Sequence, residues 1–303
     1  FKELVSIEVH SRDERAIADV LKEKLTTLGL TVTEDKAGEV LGGNTGNLYA
    51  QLPGSTDGEP VLFSAHMDRV GNHGHIVPLV KEEGKIVSDG TSILAGDDIG
   101  GVAAILAMLR EVKEKQIPHG PIEVAFSVCE ETGVEGSRQY DFSKFRSKSA
   151  FVYDASGKAG TIVLAAPSKG RVTIRVHGVT AHAGNEPEKG LNALKVAADL
   201  IMQLPDGRLS PVSTANFSII EAGSATNVVC DLVTITGEQR SRDAKEYQQI
   251  SADIQAAADR ISEKYHTKIE VELHTLYHAF KLEETARPCV LAKEAAEAAC
   301  AVP

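Results

Sequence analysis

The sequence predicts an α/β protein with a largely parallel sheet, interrupted by an inserted α+β unit. Three observations carry that prediction. Strand-length apolar runs alternate with helix-period segments from Ser11 to Ala165. Near Pro167 the texture changes to the order β-α-β-β-α-β, the split βαβ pattern of a ferredoxin-like domain. A further helical segment follows Phe280, with no internal repeat or low-complexity linker, so the second unit reads as an insertion into the first. The boundaries expected are 1–167 with 279–303 for the outer domain and 168–278 for the inserted one. At 303 residues and 42% apolar content, the chain can fill two cores.

The first helix is expected to open on a capping box, Ser11-x-x-Glu14, with Ile17, Val20, Leu21, Leu25 and Leu28 as its apolar stripe and Gly29 closing it. Strands are expected at Thr31–Thr33, Asn47–Leu52 and Val61–Ala65, the last a continuous apolar run suited to burial on both faces. A second helix runs from Ile99 to about Lys115. From Ile122 to Cys129 apolar and other residues alternate with a period of two, which indicates a strand. Ala150–Tyr153 and Thr161–Ala165 read as two more. In the inserted unit the expected strands are 171–177, 214–221, 228–238 and 268–276, and the helices 188–203 and 243–264. The final helix carries Leu291, Ala295, Ala298 and Ala299 on one stripe.

Composition excludes several classes of function. Lys and Arg number 32 against 43 Asp and Glu, a net charge of −11, so broad attraction to nucleic acid or an anionic membrane is not expected. The longest strongly apolar uncharged run, Ile99 to Leu109, is shorter than the ~18–20 residues that span a bilayer. Cys129, Cys230, Cys289 and Cys300 form no C-x-x-C pair, so free thiols in a reducing, cytoplasmic compartment are expected, and thiolate-bound zinc is not. Phe1-Lys2-Glu3 is neither a signal peptide nor an initiator, and the true start is expected to lie upstream.

Four clusters carry the chemistry: His66-Met67-Asp68, Asp97-Asp98, Glu130-Glu131 and Asp154. Three follow predicted strands and the other opens a predicted helix, so a parallel sheet would deliver them to one edge. Taken singly, each has a plainer account: a turn histidine, a helix N-cap, a solvated loop, a capped turn. Together, one imidazole with several carboxylates suits a divalent metal, and Zn²⁺ accepts such N/O sets at ~2.0–2.2 Å. The adjacent Glu130 and Glu131 carboxylates repel each other unless a cation lies between them.

The segments FSAHMDRV, SDGTSILAGDDIGG, VCEETGVEG and VYDASG resemble the metal-binding blocks of peptidase T and its relatives in the di-zinc aminoacylase and carboxypeptidase superfamily. TAHAGNEPEKG, AGSATNVVCD and GEQRS resemble that family's lid-domain signatures, so the likeness covers nearly the whole chain. It implies a zinc-exopeptidase-like α/β sandwich with an inserted lid, and two divalent ions, zinc before cobalt or manganese. His66 and Asp154 would bind one ion, Glu131 the other, and Asp97 would bridge them. Glu130 would be the general base and Asp68 would orient the imidazole. In the lid, His182 would donate to the oxyanion, often from a neighbouring subunit, while Asn227 and Arg240 would contact substrate. The implied activity is tripeptide aminopeptidase-like hydrolysis of short peptides, with N-acyl amino acid hydrolysis, or binding without hydrolysis, as the alternatives. Homodimerisation through the lid's sheet edge is a further expectation.

The sequence departs from the family pattern in three places. The Gly-rich segment and distal His that relatives carry after a helix like 284–300 do not occur before Pro303, so the second metal would be short of one ligand. Functional sequence is therefore expected beyond Pro303. Ile99 stands where relatives commonly carry Lys, and Ala95-Gly96 inverts the usual Gly-Ala. Two histidine groups are read as non-ligands: His73-Gly74-His75 as an exposed loop, and His278 as the end of the last lid strand.

Overall fold

The computed structural model of the chain describes residues 1–71 and 74–299. The chain divides into two units, Phe1–Ile162 together with the segment from Thr285 on, and Val163–Glu284.

The first unit opens with a short helix α1 (Lys2–Val5) and then α2 (Arg15–Thr27). Gly29 takes φ +99° just after α2, a conformation open to glycine at no steric cost. There follow β1 (Thr31–Glu34), α3 (Ala37–Leu41), β2 (Leu48–Leu52), β3 (Val61–His66) and a hairpin of β4 (Pro78–Val80) and β5 (Ile86–Ser88). Then come α4 (Gly96–Glu114), β6 (Ile122–Ser127) and β7 (Ser149–Val152). The sheet order is β1-β2-β6-β3-β7, in which β6, β3 and β7 are mutually parallel, while β2 pairs antiparallel with both β6 and the edge strand β1. Every residue of β6 is buried. Ile17, Leu21 and Leu25 of α2 and Ile99, Val102, Ile105 and Leu109 of α4 complete the same core. Gly101 lets α4 lie close to the chain after β7, since a Cβ there would overlap the Asp98 carboxylate and the Tyr153 carbonyl.

The parallel centre positions the chemistry. His66 pairs in register with Ser127, and Ser64 with Val152, so the carboxyl ends of β3, β6 and β7 open on one edge.

The inserted unit contains β8 (Ala165–Ala166), β9 (Ser168–His177), α5 (Ala193–Ile201), β10 (Gly207–Ser210), β11 (Ser213–Ala222), β12 (Leu232–Ser241), α6 (Ala244–Tyr265), β13 (Ile269–Tyr277) and β14 (Phe280–Lys281). Its sheet runs β10-β11-β12-β9-β13, antiparallel throughout, which is the ferredoxin-like order with β10 added at one edge. Both helices begin on side-chain caps: Asn192 accepts from the Leu194 amide, and Asp243 from those of Lys245 and Glu246. The chain then returns to the first unit as α7 (Arg287–Ala298).

Two local expectations fail. The Thr161–Ala165 strand reduces to β8, which pairs only with β14, because Thr161 to Val163 find no partner strand. The capping box is absent: Glu14 is itself the N-cap residue of α2, makes no side-chain cap bond, and is fully buried. Ser11 and Glu14 are used elsewhere, as described below. Among the described residues no helix is long and apolar enough to cross a membrane. Cys129, Cys230 and Cys289 are buried free thiols, and Cys300 lies outside the described residues.

Candidate active site

His66 ends β3 and is 2% exposed. Its Nε2 lies 3.2 Å from Asp97 Oδ1 and 3.9 Å from Glu130 Oε2. Two groups of metal-competent atoms share it, each within 4.8 Å: His66 with Asp97 and Asp154, and His66 with Glu130 and Glu131. The clusters that follow β3, β6 and β7 thus meet at one histidine. Asp97 falls in the first group with Asp154, and Glu131 in the second with Glu130.

Asp97 and Asp98 do not cap α4. Their backbone is non-helical, the peptide between them is cis, and regular helix begins beyond them. Asp97 is exposed toward the site, while the buried Asp98 accepts the His66 amide at 3.1 Å.

Asp68, 0% exposed, does more than face the imidazole. His66 Nδ1 sits 3.2 Å from Asp68 Oδ1 without the alignment of a hydrogen bond. The aligned bonds run to the neighbouring loop: Glu130 N donates to Oδ1 at 2.9 Å and Glu131 N to Oδ2 at 3.1 Å, and Ser11 Oγ donates to Oδ2 at 2.6 Å. The two residues before them are held in the same way, Val128 N by Asn47 Oδ1 and Cys129 N by Glu14 Oε1, each at 3.0 Å. Four consecutive amides leaving β6 therefore rest on side-chain oxygens from three distant segments. Cys129 takes a left-handed backbone, φ +51°, a conformation that costs about 1–3 kcal/mol in a non-glycine residue and persists only when its surroundings over-determine it.

The sequence reading missed Glu14 and Asn47 in this role. A signal for Glu14 was available: it falls three, four, seven and eleven residues before Ile17, Ala18, Leu21 and Leu25, on the buried stripe of α2. Burial holds its carboxyl above the ordinary range, offset in part by the amides of Cys129 and Arg12, while Oε2 makes no aligned hydrogen bond.

The donor set fits a divalent cation. His66 Nδ1 and Glu131 Oε1 are buried without hydrogen bonds, and the carboxylates crowd one another. Burial opposes charge on His66, but Asp68 beside it, with Asp98 and Asp154, pushes its pKa up to about 10. Burial raises Asp98 to about 7 against the pull of His66. Burial likewise raises Asp154 to about 6, again against His66, with repulsion from Asp97 and Glu130 adding to it. Glu130 and Glu131 are raised too, by burial first and then by neighbouring carboxylates.

These folded-state values all lie above their unfolded counterparts. The stability they contribute is complete below the unfolded pKa values and is lost as pH rises through the folded ones. In chelator, the melting temperature is therefore expected to fall by several degrees between pH 5.5 and 8, at about 2–4 °C per kcal/mol for a domain of this size. Saturating Zn²⁺ is expected to flatten the slope by placing positive charge among these carboxylates. A melting temperature that rises with pH in chelator would contradict this account.

In the inserted unit, His182 and Asn227 lie side by side: His182 bridges Val228, and the Ala183 amide donates to the Asn227 carbonyl. The exposed His182 accepts from the Gly184 and Asn185 amides at Nδ1, both at 3.2 Å, which leaves the proton on Nε2 as a free donor. Arg240 is not with them. It sits near the end of β12 with Nε on Glu238 at 2.6 Å. His75 and His278 are exposed and belong to neither metal-competent group, and His73 lies outside the described residues.

A model of the peptidase dimerisation domain matches residues 167–266, and one of peptidase family M28 matches residues 47–185. The Bacillus subtilis protein YqjE is 36% identical over 98% of this chain and 80% of its own length. The crystal structure of aminopeptidase PepT from Bacillus cereus superposes with a TM-score of 0.90 at 38% identity, over 100% of this chain and 81% of that one. A tripeptidase structure from Staphylococcus aureus superposes with a TM-score of 0.93 at 33% identity, over 99% and 80%. The chain spans about half the length of the peptidase T sequences that it matches.

Proposed function

The chain belongs to the peptidase T-like metallopeptidases of the M20 family, and from that premise we propose that it releases the N-terminal residue of short peptides, tripeptides above all. The observation that carries the proposal is the gathering of Asp97, Glu130, Glu131 and Asp154 around one buried histidine. His66, Asp97, Glu131 and Asp154 would hold two divalent ions, zinc by the character of the donors. Bound there, the ions would polarise the scissile carbonyl and lower the pKa of the attacking water.

The protein's own groups supply the rest. Glu130 takes the proton of the attacking water and returns it to the leaving amine, its carboxyl already raised toward neutral pH by burial. Asp68 holds the Glu130 and Glu131 amides, so that two adjacent side chains enter the site in fixed and different directions. His182, whose Nδ1 accepts from two amides, would donate through Nε2 to the oxyanion that develops at the carbonyl, in the family's manner often from a neighbouring subunit. Asn227 lies beside it and would contact the substrate. Arg240 would have to leave Glu238 before it could receive a carboxylate.

The zinc-loaded protein, assayed on free tripeptides and N-acetyl amino acids in parallel, is expected to turn over only the former. Turnover of the acetylated set alone would move the assignment to amide hydrolysis, and zinc binding with no turnover of either would make it a non-hydrolytic relative.

A homodimer through the inserted unit belongs to the same proposal. β10 pairs with β11 only as far as Ala215, and beyond it the exposed Ile219 and Ile220 lie on a stretch that β10 does not cover. Sedimentation at micromolar concentration is expected to give twice the chain mass, and a clean monomer would exclude this assembly.

A further inference from the structure

The loop that carries Glu130 and Glu131 contributes none of its first four amides to a sheet ladder. They rest on Asn47, Glu14 and both oxygens of Asp68. Glu14 is the least expected member of that set. It occupies a core position on the apolar stripe of α2, is fully buried, and uses only one of its two oxygens in an aligned hydrogen bond. As a packing element a leucine would serve better there, because a buried carboxylate with an unsatisfied oxygen is costly. As an acceptor it has a specific use: it fixes the amide of Cys129, whose backbone is left-handed, immediately before Glu130.

We propose that Glu14 is a positioning residue for catalysis, setting through Cys129 the direction in which Glu130 and Glu131 enter the site. Ser11, three residues earlier, supports Asp68 in the same way, so the entry to α2 is part of the catalytic apparatus. This role rests on the reading of Glu130 as general base and Glu131 as metal ligand.

The test uses the zinc-loaded protein on a tripeptide, with amide hydrogen exchange on the metal-free form. Glu14→Leu is expected to lower kcat about 10–100-fold, as the loss of a group supporting a metal site typically does, with KM unchanged. Exchange protection of the Cys129 amide is expected to fall with it. Glu14→Gln keeps an acceptor at Oε1 and is expected to restore both. Wild-type kcat in E14L, or an equal loss in E14L and E14Q, overturns the proposal. If E14L does not fold, E14D takes its place: it keeps the charge but withdraws the acceptor, so the same fall in kcat is expected and wild-type kcat overturns the role. Glu130→Gln, run alongside, separates the two readings. An active E130Q defeats the base assignment whatever Glu14 does, whereas an inactive E130Q beside a fully active E14L defeats the positioning role alone.

Discussion

Glu130→Gln is expected to lower kcat on tripeptides by about 10²–10⁴-fold, the usual contribution of a positioned proton-transfer group, with KM and metal content unchanged. The substitution keeps the size and polarity of the side chain and leaves its amide on Asp68, so it removes little besides the capacity to accept a proton. Burial, with the Glu131, Asp68 and Asp97 charges, raises the Glu130 pKa despite the pull of His66, the direction that suits a general base. Kinetics with metal analysis on the same sample distinguish the outcomes. Full turnover would remove Glu130 from the reaction, and a loss of turnover in step with a loss of metal would make it a ligand.

Asp68→Ala is expected to cost about 3–5 kcal/mol of stability, the scale set by removing one partner from a buried charged network. Asp68 accepts from two amides and a hydroxyl at full burial, and each donor left unpaired there costs about 1–3 kcal/mol. His66 also loses the adjacent negative charge that most favours its imidazolium. Zinc affinity is expected to fall about 10–100-fold in consequence. Asp68→Asn should fall between, since it keeps one acceptor but turns an N–H₂ toward a donor. Denaturant unfolding and zinc titration measure both quantities, and wild-type values in the alanine variant would show that the loop is held by other means.

How much of this was legible in the sequence follows from the range over which each feature is determined. The edge at which His66, Glu130 and Asp154 meet requires only that the strands before them be parallel, and alternation of helix and strand already implies that. The ferredoxin-like order is legible for a similar reason, since each element has its own period. Thr161 to Val163 has strand-like residues and forms none, because strand preference is realised only where a neighbour offers a ladder. Ser11-x-x-Glu14 has the spacing of a capping box, yet both side chains serve a loop more than a hundred residues away in sequence or the residue that holds it. Local pattern could not separate those uses, although the buried stripe marked Glu14 as unusual.

The four borrowed amides have a consequence for the order in which the chain assembles. Their partners lie 81, 115, 62 and 63 residues away, so the loop gains its shape only after α2, β2 and β3 have docked onto β6. Contacts of such separation pay their loop-closure entropy before they return any stabilisation, and they form late. A partly folded chain can therefore hold most of its secondary structure while Glu130 and Glu131 still point at random. With Glu130 and Glu131 in the roles proposed, catalytic competence would report on the last stage of folding of the first unit.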